Sequence, residues 1–328
     1  MQYQSSHIIR RHHGNPILTY KNIPYEAELV FNAGVIKYQG KYIMAFRNDV
    51  GDLQAPGNKS SWKWRSTVIG LAYSDDGIHW EAEKEPIELD YDRKMFYSAY
   101  DPRLTVIEGL PTLCFAMNSV YGLCGGIATT DDFHHFKVQT YTMPDNRNLV
   151  LFPEKLNGNY LRMDRPLNMY SLGGREGFNI WLSESPDLVY WGKNRMLLSC
   201  DQVPFGSLKI GPGAPPVRTE KGFLVLYHAV HYSEAPLNAY SDWHKVYSIG
   251  AMLLDAENPY RIIGMGKEPL LYPEMPYECA GFRGSTLFPG AVIPEEDGSV
   301  KIYYGAADTV ECLATAAMDD LLKFCLES

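Results

Sequence analysis

One pattern of apolar and polar positions occurs five times along the chain. Each copy has a short apolar segment, a turn with glycine or charged residues, and a second apolar segment. The five copies are residues 34–46, 103–115, 152–163, 216–227 and 291–304. Apolar segments joined by short turns predict β-hairpins, and Asn157-Gly158 and Asp297-Gly298 are strong hairpin-turn signals.

A second hairpin is predicted after each of these five. In the first three copies it spans residues 69–80, 126–136 and 179–191, and looser versions lie at 248–260 and 313–322. The first contains a Ser-x-Asp-x-x-x-Trp element. We interpret this element as a turn closed by Ser or Asp, with the aromatic ring packed between neighbouring sheets.

Five pairs of hairpins, recurring at roughly 50 to 75 residues, predict five four-stranded sheets, and radial repetition of such sheets makes a β-propeller. A chain of 328 residues fits one large all-β domain or two domains. The repeat favours the first, so the predicted fold is all-β, a single five-bladed β-propeller over residues 1–328. A short helical tail is predicted after Asp319.

Composition and charge limit the classes of molecule that the protein is expected to bind. The formal net charge of −9 and the pI near 5.5 argue against nucleic acid or an anionic membrane as partner. The 23 Tyr and 6 Trp are compatible with sugar binding, although strands favour tyrosine in any case. Neither a signal peptide nor a membrane-spanning apolar run is visible, and the six cysteines show no C-x-x-C pairing. We therefore expect a cytoplasmic protein with reduced thiols and no zinc site.

Propellers bind small ligands on their axis, so the informative residues should flank the first hairpin of each blade. Asp101 lies there, between Tyr100 and Pro102-Arg103. Taken alone, Asp101 is a turn residue paired with Arg103, since Asp-Pro is a common turn signal. At the entrance to the second of five blades it becomes a candidate proton donor, with Arg103 as its structural support.

Two neighbouring blades bring cations to equivalent points. In a chain of net charge −9, their convergence predicts an anion site, and arginine forks suit a phosphate. The residues are Arg147, Arg165, Lys209 and His228. Carboxylates face the same axis from other blades, namely Asp49, Asp101, Glu278 and Asp308. Glycosidases need two carboxylates, whereas phosphate as the nucleophile needs no base, so one framed acid beside a basic cluster favours phosphorolysis over hydrolysis.

An insertion at about 49–66 in blade one contains the basic and aromatic segment 59–65. RNA binding is one reading of it, but a lid or a subunit-contact loop is preferred, with Trp62 or Trp64 stacking on a distal sugar. The histidine pairs at 12–13 and 134–135 lack partners at ligand spacing, so no metal site is predicted.

Eight segments together resemble glycoside hydrolase family 130, the β-mannoside phosphorylases. They are 31–32, 100–103, 146–148, 164–166, 209–213, 227–228, 276–279 and 304–309. The resemblance implies a five-bladed propeller that performs inverting phosphorolysis of a β-mannoside and releases α-mannose 1-phosphate. Inorganic phosphate is then the co-substrate, and no metal or organic cofactor is required. One departure is Ala33, where relatives carry serine.

The resemblance also implies residue roles. Asp101 would be the general acid, passing its proton through the mannose 3-hydroxyl. Phosphate would be held by Arg147, Arg165, Lys209, His228 and Tyr247. Mannose would be held by Asn32, Arg47, Asp308 and Glu278, and Asp49, Tyr100 and Arg283 complete the candidate substrate-binding set.

Within the family, the motifs are closest to phosphorylases of β-1,4-mannooligosaccharides. A β-1,2-mannoside phosphorylase and a phosphorylase of β-mannosyl-glucose or of N-glycan-core mannosides are the alternatives. A hydrolytic β-mannosidase and a non-catalytic sugar-binding propeller are the alternatives of another class. We also expect a homo-oligomer.

Overall fold

The computed structural model describes residues 3–53, 62–167, 177–233 and 244–327, with backbone alone at 52, 53, 62 and 63. The strands in these ranges form five sheets. Each blade contacts the next around the axis, and the last contacts the first. This arrangement confirms the predicted five-bladed β-propeller.

The strands are numbered along the chain. The N-terminal β1 (Arg10–Arg11) is followed in blade one by β2 (Leu29–Tyr38), β3 (Lys41–Leu53), β4 (Trp62–Ser74) and β5 (Glu81–Ala82). Blade two contains β6 (Glu88–Asp90), β7 (Phe96–Ile107), β8 (Leu110–Ser119), β9 (Gly122–Thr129) and β10 (His135–Tyr141). Blade three contains β11 (Asn146–Leu151), β12 (Tyr160–Pro166), β13 (Ile180–Ser185) and β14 (Gly192–Leu198).

Blade four contains β15 (Lys209–Pro212), β16 (Val217–Thr219), β17 (Gly222–Tyr232), β18 (Lys245–Leu254) and β19 (Ile262–Met265). The short helix α1 (Pro276–Cys279) leads into blade five, which contains β20 (Leu287–Pro294), β21 (Ser299–Ala306) and β22 (Val310–Ala317). The helix α2 (Met318–Leu326) ends the described chain. Neighbouring strands of each sheet pair antiparallel, except that β6 runs parallel to β10 at the outer edge of blade two.

The last blade departs from the sequence prediction. A second hairpin was expected at 313–322, but the chain leaves β22 after Ala317 and enters α2 directly. Asp319 and Asp320 in the first turn favour the helix N-terminus, where the helix dipole is positive. The fourth strand of this blade is β1 instead, so contacts between the two ends of the chain close the ring.

The insertion in blade one is largely regular strand. The β3–β4 pairing continues outward through Val50 opposite Ser66 and Gly51 opposite Trp64, up to Leu53 opposite Trp62. Residues 54–61, which carry part of the basic segment, lie outside the described chain. The described ends of the insertion therefore continue the β3–β4 hairpin and place Trp64 near Arg47, while the lid or subunit-contact role stays a prediction.

The predicted Ser-x-Asp turns are confirmed. Asp76 Oδ1 accepts the backbone N–H groups of Ile78 (2.8 Å) and His79 (2.9 Å). The same arrangement occurs at Asp132 and Asp187. Trp80 then packs edge-on against Tyr303 of blade five, with ring centroids 5.9 Å apart. These turns therefore aim aromatic side chains into the interfaces between blades.

The hydrophobic core is divided among the blade interfaces. Five clusters of buried side chains each join residues of two neighbouring blades, including blades five and one. All six cysteines are unpaired, and five of them are buried in these layers. Face-to-face packing of successive sheets leaves the ends of the innermost strands to form the axial site.

Four of the five innermost strands are interrupted by a shift in register. The shifts lie between Phe31 and Gly34, Tyr100 and Arg103, Arg147 and Val150, and Pro289 and Ala291. Blade four has a break in place of a shift, since β15 ends at Pro212 and β16 starts at Val217. β-Bulges re-aim side chains, and here they do so on the axis.

Candidate active site

Asp101 lies in the bulge of β7 with a left-handed backbone (φ 53°). Its Oδ1 accepts hydrogen bonds from Asn32 Nδ2 (3.0 Å) and Arg47 Nη1 (3.1 Å). Asn32 is also left-handed (φ 54°), in the bulge of β2. Such backbone costs energy for residues other than glycine and is tolerated mainly by Asn and Asp, so both bulges suit the residues that occupy them.

Burial raises the pKa of Asp101, but the neighbouring groups lower it by more. The charge of Arg47, the hydrogen bond from Asn32 and the charges of Arg103 and Arg147 together lower the pKa of Asp101. The carboxyl is therefore ionised at neutral pH in the unliganded protein. An anion bound among the same cations would weaken their hold on Asp101 and raise its pKa.

Arg47 is held in place from three sides. Its guanidinium lies between the rings of Phe31 (4.8 Å) and Tyr100 (4.7 Å). Its Nε donates to Asp49 Oδ2 (2.8 Å), and Asp49 is fully buried behind it. Asp49 was predicted to bind substrate; the structure places it against Arg47 instead, as its orienting partner.

Blade five contributes Asp308 and Arg283 to the same region. Arg283 Nη1 donates to Asp308 Oδ2 (3.0 Å), and Asp308 also has a left-handed backbone (φ 49°). The charge of Asp308 contributes to the raised pKa of Arg47. The charge of Arg283 also acts on Lys209, so this pair connects Arg47 with the cationic residues of the neighbouring blades.

The cationic cluster is built on adjacent strands. Arg147 of β11 stands directly opposite Arg165 of β12 in the register. Arg165 Nη1 donates to His228 Nε2 (2.9 Å), and His228 Nδ1 donates to the carbonyl of Pro212 (3.2 Å). These bonds place the His228 proton on Nδ1. Like charges at directly opposed positions are unfavourable, so the cluster is built for a ligand that is negatively charged.

The pKa values of the cluster also indicate a site for an anion. Burial, with the charges of Arg165 and Arg147, lowers the pKa of Lys209 to about 6. Burial and the charge of Arg147 lower the pKa of Arg165 to about 9. Burial and the nearby cations also hold the pKa of His228 well below its usual range. Lys209 Nζ lies 4.9 Å from the centre of the Tyr247 ring, which places Tyr247 beside the cluster.

Several N–H groups of the cluster point to an absent acceptor. Within the described part of the chain, Arg165 Nε, Arg165 Nη2 and Arg147 Nε are buried and have no hydrogen-bond partner. Buried guanidinium groups are normally paired, and their fork matches a phosphate or carboxylate. A Cβ at Gly211 would lie 2.4 Å from the His228 ring, so only glycine leaves room for this packing.

Acid and cluster belong to one site. Tyr100 is close to both: burial raises its pKa, the charge of Arg147 opposes this rise, and the charge of Asp101 adds to it. The charge of Asp101 in turn reaches Arg165. Every residue of the predicted set except Glu278 is connected in this way around the axis.

The prediction for Glu278 does not agree with the structure. Glu278 is fully buried, and its Oε1 accepts hydrogen bonds from Arg11 Nε (2.8 Å) and the Tyr304 hydroxyl (2.9 Å). Its Oε2 accepts from Arg11 Nη2 and from the backbone of Glu274 and Met275. With both oxygens occupied, Glu278 anchors the N-terminal segment to blade five and does not reach the sugar site.

We expect Glu278→Gln to lower the free energy of unfolding by about 3 kcal/mol, because it breaks a buried ion pair. The KM values for both substrates should stay within about twofold, since no site residue moves. Glu274→Gln is the matched control: it removes the partly exposed partner of Arg11 and should cost less than about 1 kcal/mol. A rise in the mannoside KM with unchanged stability would return Glu278 to the sugar site.

Trp64 and Ala33, which the sequence analysis singled out, lie in different environments. Trp64 is 44% exposed and lies 5.7 Å from the Phe282 ring and 5.9 Å from the Arg47 guanidinium. It therefore borders the site, and sugar stacking on it stays a prediction, while the Trp62 side chain lies outside the described residues. Ala33 is fully buried in the core between blades five and one.

One buried carboxyl was missed by sequence reasoning. Glu311 Oε2 accepts the Ala33 N–H (3.1 Å), directly after Asn32, and burial raises the pKa of Glu311 to about 8. Its signal in the sequence is an acidic residue inside an otherwise apolar strand. No motif distinguishes it from a surface position.

Two classes of feature are absent from the residues that the structure describes. These residues contain no group of three or more His, Cys, Asp or Glu side chains placed to hold a metal ion. They also contain no helix with the length and apolar character needed to cross a membrane. The predictions of a metal-free reaction, a cytoplasmic location and a homo-oligomer stay predictions.

A framed carboxylate beside a buried cationic cluster, both on the axis of a five-bladed propeller, is the arrangement expected of an enzyme that acts on a carbohydrate and an anion. The comparison with known families is specific. Residues 7–327 match the family described as β-1,4-mannooligosaccharide phosphorylase. The chain belongs to glycoside hydrolase family 130, the mannoside phosphorylase family, as its motifs predicted.

Individual relatives differ in the linkage that their names give. The chain is 32% identical over 329 residues to a β-1,4-mannooligosaccharide phosphorylase of Ruminococcus albus, covering 97% of this chain and 90% of the relative. It is 32% identical over 244 residues to a β-1,2-mannobiose phosphorylase of Listeria innocua, covering 74% and 64%. A solved Listeria innocua β-1,2-mannobiose phosphorylase in complex with β-1,2-mannobiose superposes with a TM-score of 0.82 at 26% identity, covering 98% and 99%.

Proposed function

We propose that this protein catalyses reversible, inverting phosphorolysis of β-1,4-linked mannooligosaccharides. It would remove the mannose at the non-reducing end and yield α-mannose 1-phosphate and a shortened oligosaccharide. The observation that carries the proposal is the set of buried, unpartnered N–H groups on Arg147 and Arg165 beside Asp101. Family membership and the name of the Ruminococcus albus relative support the substrate class and the linkage.

In the proposed reaction, a phosphate oxygen attacks the anomeric carbon while the glycosidic C–O bond breaks. Asp101 supplies the proton that the leaving oxygen gains, through the mannose 3-hydroxyl as in the family. Arg147, Arg165 and Lys209 hold phosphate on the opposite face of the sugar, which inverts the anomeric configuration. Their guanidinium and ammonium groups replace the water that would otherwise solvate the phosphate.

Phosphorolysis is favoured over hydrolysis by the charges in the site. An inverting hydrolase needs a carboxylate base that activates water opposite the acid. In the proposed scheme the cationic residues Arg165, Lys209 and His228 occupy that position opposite the acid. Asp49 and Asp308 are bonded to Arg47 and Arg283. Phosphate is an anion at neutral pH and needs no base.

A β-1,2-mannoside is the second candidate substrate, because the Listeria innocua structure matches this chain over nearly its full length. A β-mannosyl-glucose or an N-glycan-core mannoside is a third. The three share the mannose that Asn32, Arg47 and Asp308 would hold. They differ in the acceptor sugar, which would lie on the outer side of Tyr100, near Trp64.

The test is incubation with inorganic phosphate and a panel of β-1,4- and β-1,2-mannosides, scoring mannose 1-phosphate. We expect product from β-1,4-mannooligosaccharides only when phosphate is present, and full activity after treatment with a metal chelator. Equal release of free mannose in phosphate-free buffer would identify a hydrolase. Sugar binding without turnover under any condition would identify a sugar-binding propeller instead.

A further inference from the structure

A further arginine near the axis, Arg103, takes no part in the proposed phosphate site. Arg103 is 3% exposed, and its guanidinium donates to four backbone carbonyls. Nε donates to Gly213 (2.6 Å), and Nη2 donates to Pro289 (3.2 Å). Nη1 donates to both Asn32 (2.9 Å) and Pro102 (2.6 Å). The plane of the group lies near the ring of Phe288, at 5.0 Å.

These four carbonyls come from four different blades. Asn32, Pro102 and Pro289 lie at the register shifts of blades one, two and five. Gly213 lies in the break between β15 and β16 of blade four. A register shift removes ladder hydrogen bonds, so each interruption leaves a carbonyl that needs a donor. One guanidinium supplies all four.

The same interruptions position the proposed site. Asn32 is itself the residue that bonds Asp101, and Pro102 follows Asp101 directly. Gly213 ends the segment that begins with Lys209 and contains Gly211. A shift of any one interruption relative to the others would therefore change the distance between acid, sugar and phosphate.

Only a guanidinium can satisfy this geometry. Its five N–H donors point outward in one plane, whereas a lysine ammonium is a compact group with three donors. No carboxylate is bonded to Arg103 among the described residues. Glu311 is close enough to affect the pKa of Arg103, but it accepts the Ala33 N–H instead.

We propose that Arg103 is a positioning residue that joins the interrupted inner strands of blades one, two, four and five and so sets the acid against the sugar and phosphate contacts. The catalytic part of this inference rests on the proposed function. Arg103 touches neither substrate in this scheme and acts through Asn32, Asp101 and the Lys209–Gly213 segment.

The first experiment compares Arg103→Lys with the wild-type protein in steady-state phosphorolysis. We expect kcat to fall about 100-fold, the loss that a misplacement near 1 Å produces. Both KM values should change by less than about threefold, since the binding groups remain. Arg162→Lys is the control, because Arg162 is equally buried but is paired with Asp164 within blade three. An unchanged kcat in Arg103→Lys would overturn the proposal.

The second experiment measures amide hydrogen exchange and does not depend on activity. In Arg103→Lys, peptides covering 31–34, 100–103, 211–214 and 288–291 should exchange faster. The bulge of blade three, at 147–150, has no bond to Arg103 and should exchange at the wild-type rate. Faster exchange in all five blades would show a general loss of stability and would also overturn the proposal.

The two experiments distinguish a failure of the proposed function from a failure of the proposed role of Arg103. If the wild-type protein makes no mannose 1-phosphate, the proposed function fails while the exchange pattern still decides the role of Arg103. If Arg103→Lys does not fold, Arg103→Gln is measured in the same way, since its amide keeps two donors. Failure of both variants to fold would assign Arg103 to stability alone.

Discussion

Asp101→Asn is expected to reduce phosphorolysis of an unactivated β-mannoside by at least about 1,000-fold, within the range that general acid catalysis contributes. The asparagine amide carries no acidic proton for the leaving oxygen. Its Oδ1 can still accept the bonds from Asn32 and Arg47, and asparagine tolerates the left-handed backbone. The fold and the binding of both substrates should therefore survive.

An activated substrate makes this test diagnostic. An aryl mannoside whose leaving group needs no protonation should recover most of the lost activity in Asp101→Asn. A variant that was merely misfolded would lose activity on both substrates equally. Near-normal turnover of the unactivated mannoside would remove Asp101 from the acid role.

The pH dependence provides a second readout of the same carboxyl. The acid must be protonated, so activity is lost as the pH rises through its pKa. In the free protein the neighbours Arg47, Asn32, Arg103 and Arg147 lower that pKa. Bound phosphate should raise it, because it shares the same cations. The alkaline limb of kcat should therefore lie at higher pH than that of kcat/KM, which reports the free enzyme.

Arg165→Ala is expected to raise the KM for phosphate by at least about 100-fold, because it removes at least two charge-assisted hydrogen bonds worth about 1.5 to 3 kcal/mol each. The two donors are Nε and Nη2, which are buried and have no hydrogen-bond partner among the described residues. The mannoside KM should change little. Arg162→Ala, three positions earlier in β12, is the control, and it should lose stability without losing phosphate affinity.

Stability gives this prediction an independent check. Arg165 faces Arg147 across the ladder and is buried without an anion, so its charge is unfavourable in phosphate-free buffer. Arg165→Met keeps much of the volume and should leave the melting temperature equal or higher there. Saturating phosphate at 100 times its Kd should stabilise the wild type by about 2.7 kcal/mol and the variant far less. Equal stabilisation of both proteins would take Arg165 out of the phosphate site.

The fold was predictable because its signals are local. Each hairpin is encoded within about 13 residues by apolar segments and a turn, and five repeats of that unit leave few arrangements. The errors came where a distant segment competes. Residues 313–322 resembled the other second hairpins, but β1 supplies the fourth strand of blade five.

The candidate site was predictable in composition but not in detail. Flanking positions of the hairpins brought Asp101, Arg165 and Lys209 to one axis, as expected. Glu278 shares that flanking position and was placed with them for the same reason. Its partner Arg11 lies 267 residues away in the chain, and nothing in the local sequence of either residue predicts the pair.

The sequence by itself determined the five-bladed propeller, the family and the chemical types that meet on the axis, because these follow from short-range patterns and motifs. The tertiary structure alone decided which of those residues are free to meet a ligand. Left-handed backbone in two bulges orients Asn32 and Asp101. Burial among like charges lowers the pKa of Lys209. Arg103 donates hydrogen bonds to carbonyls of four blades. Each of these effects depends on groups from distant parts of the chain, and local sequence patterns do not predict such contacts.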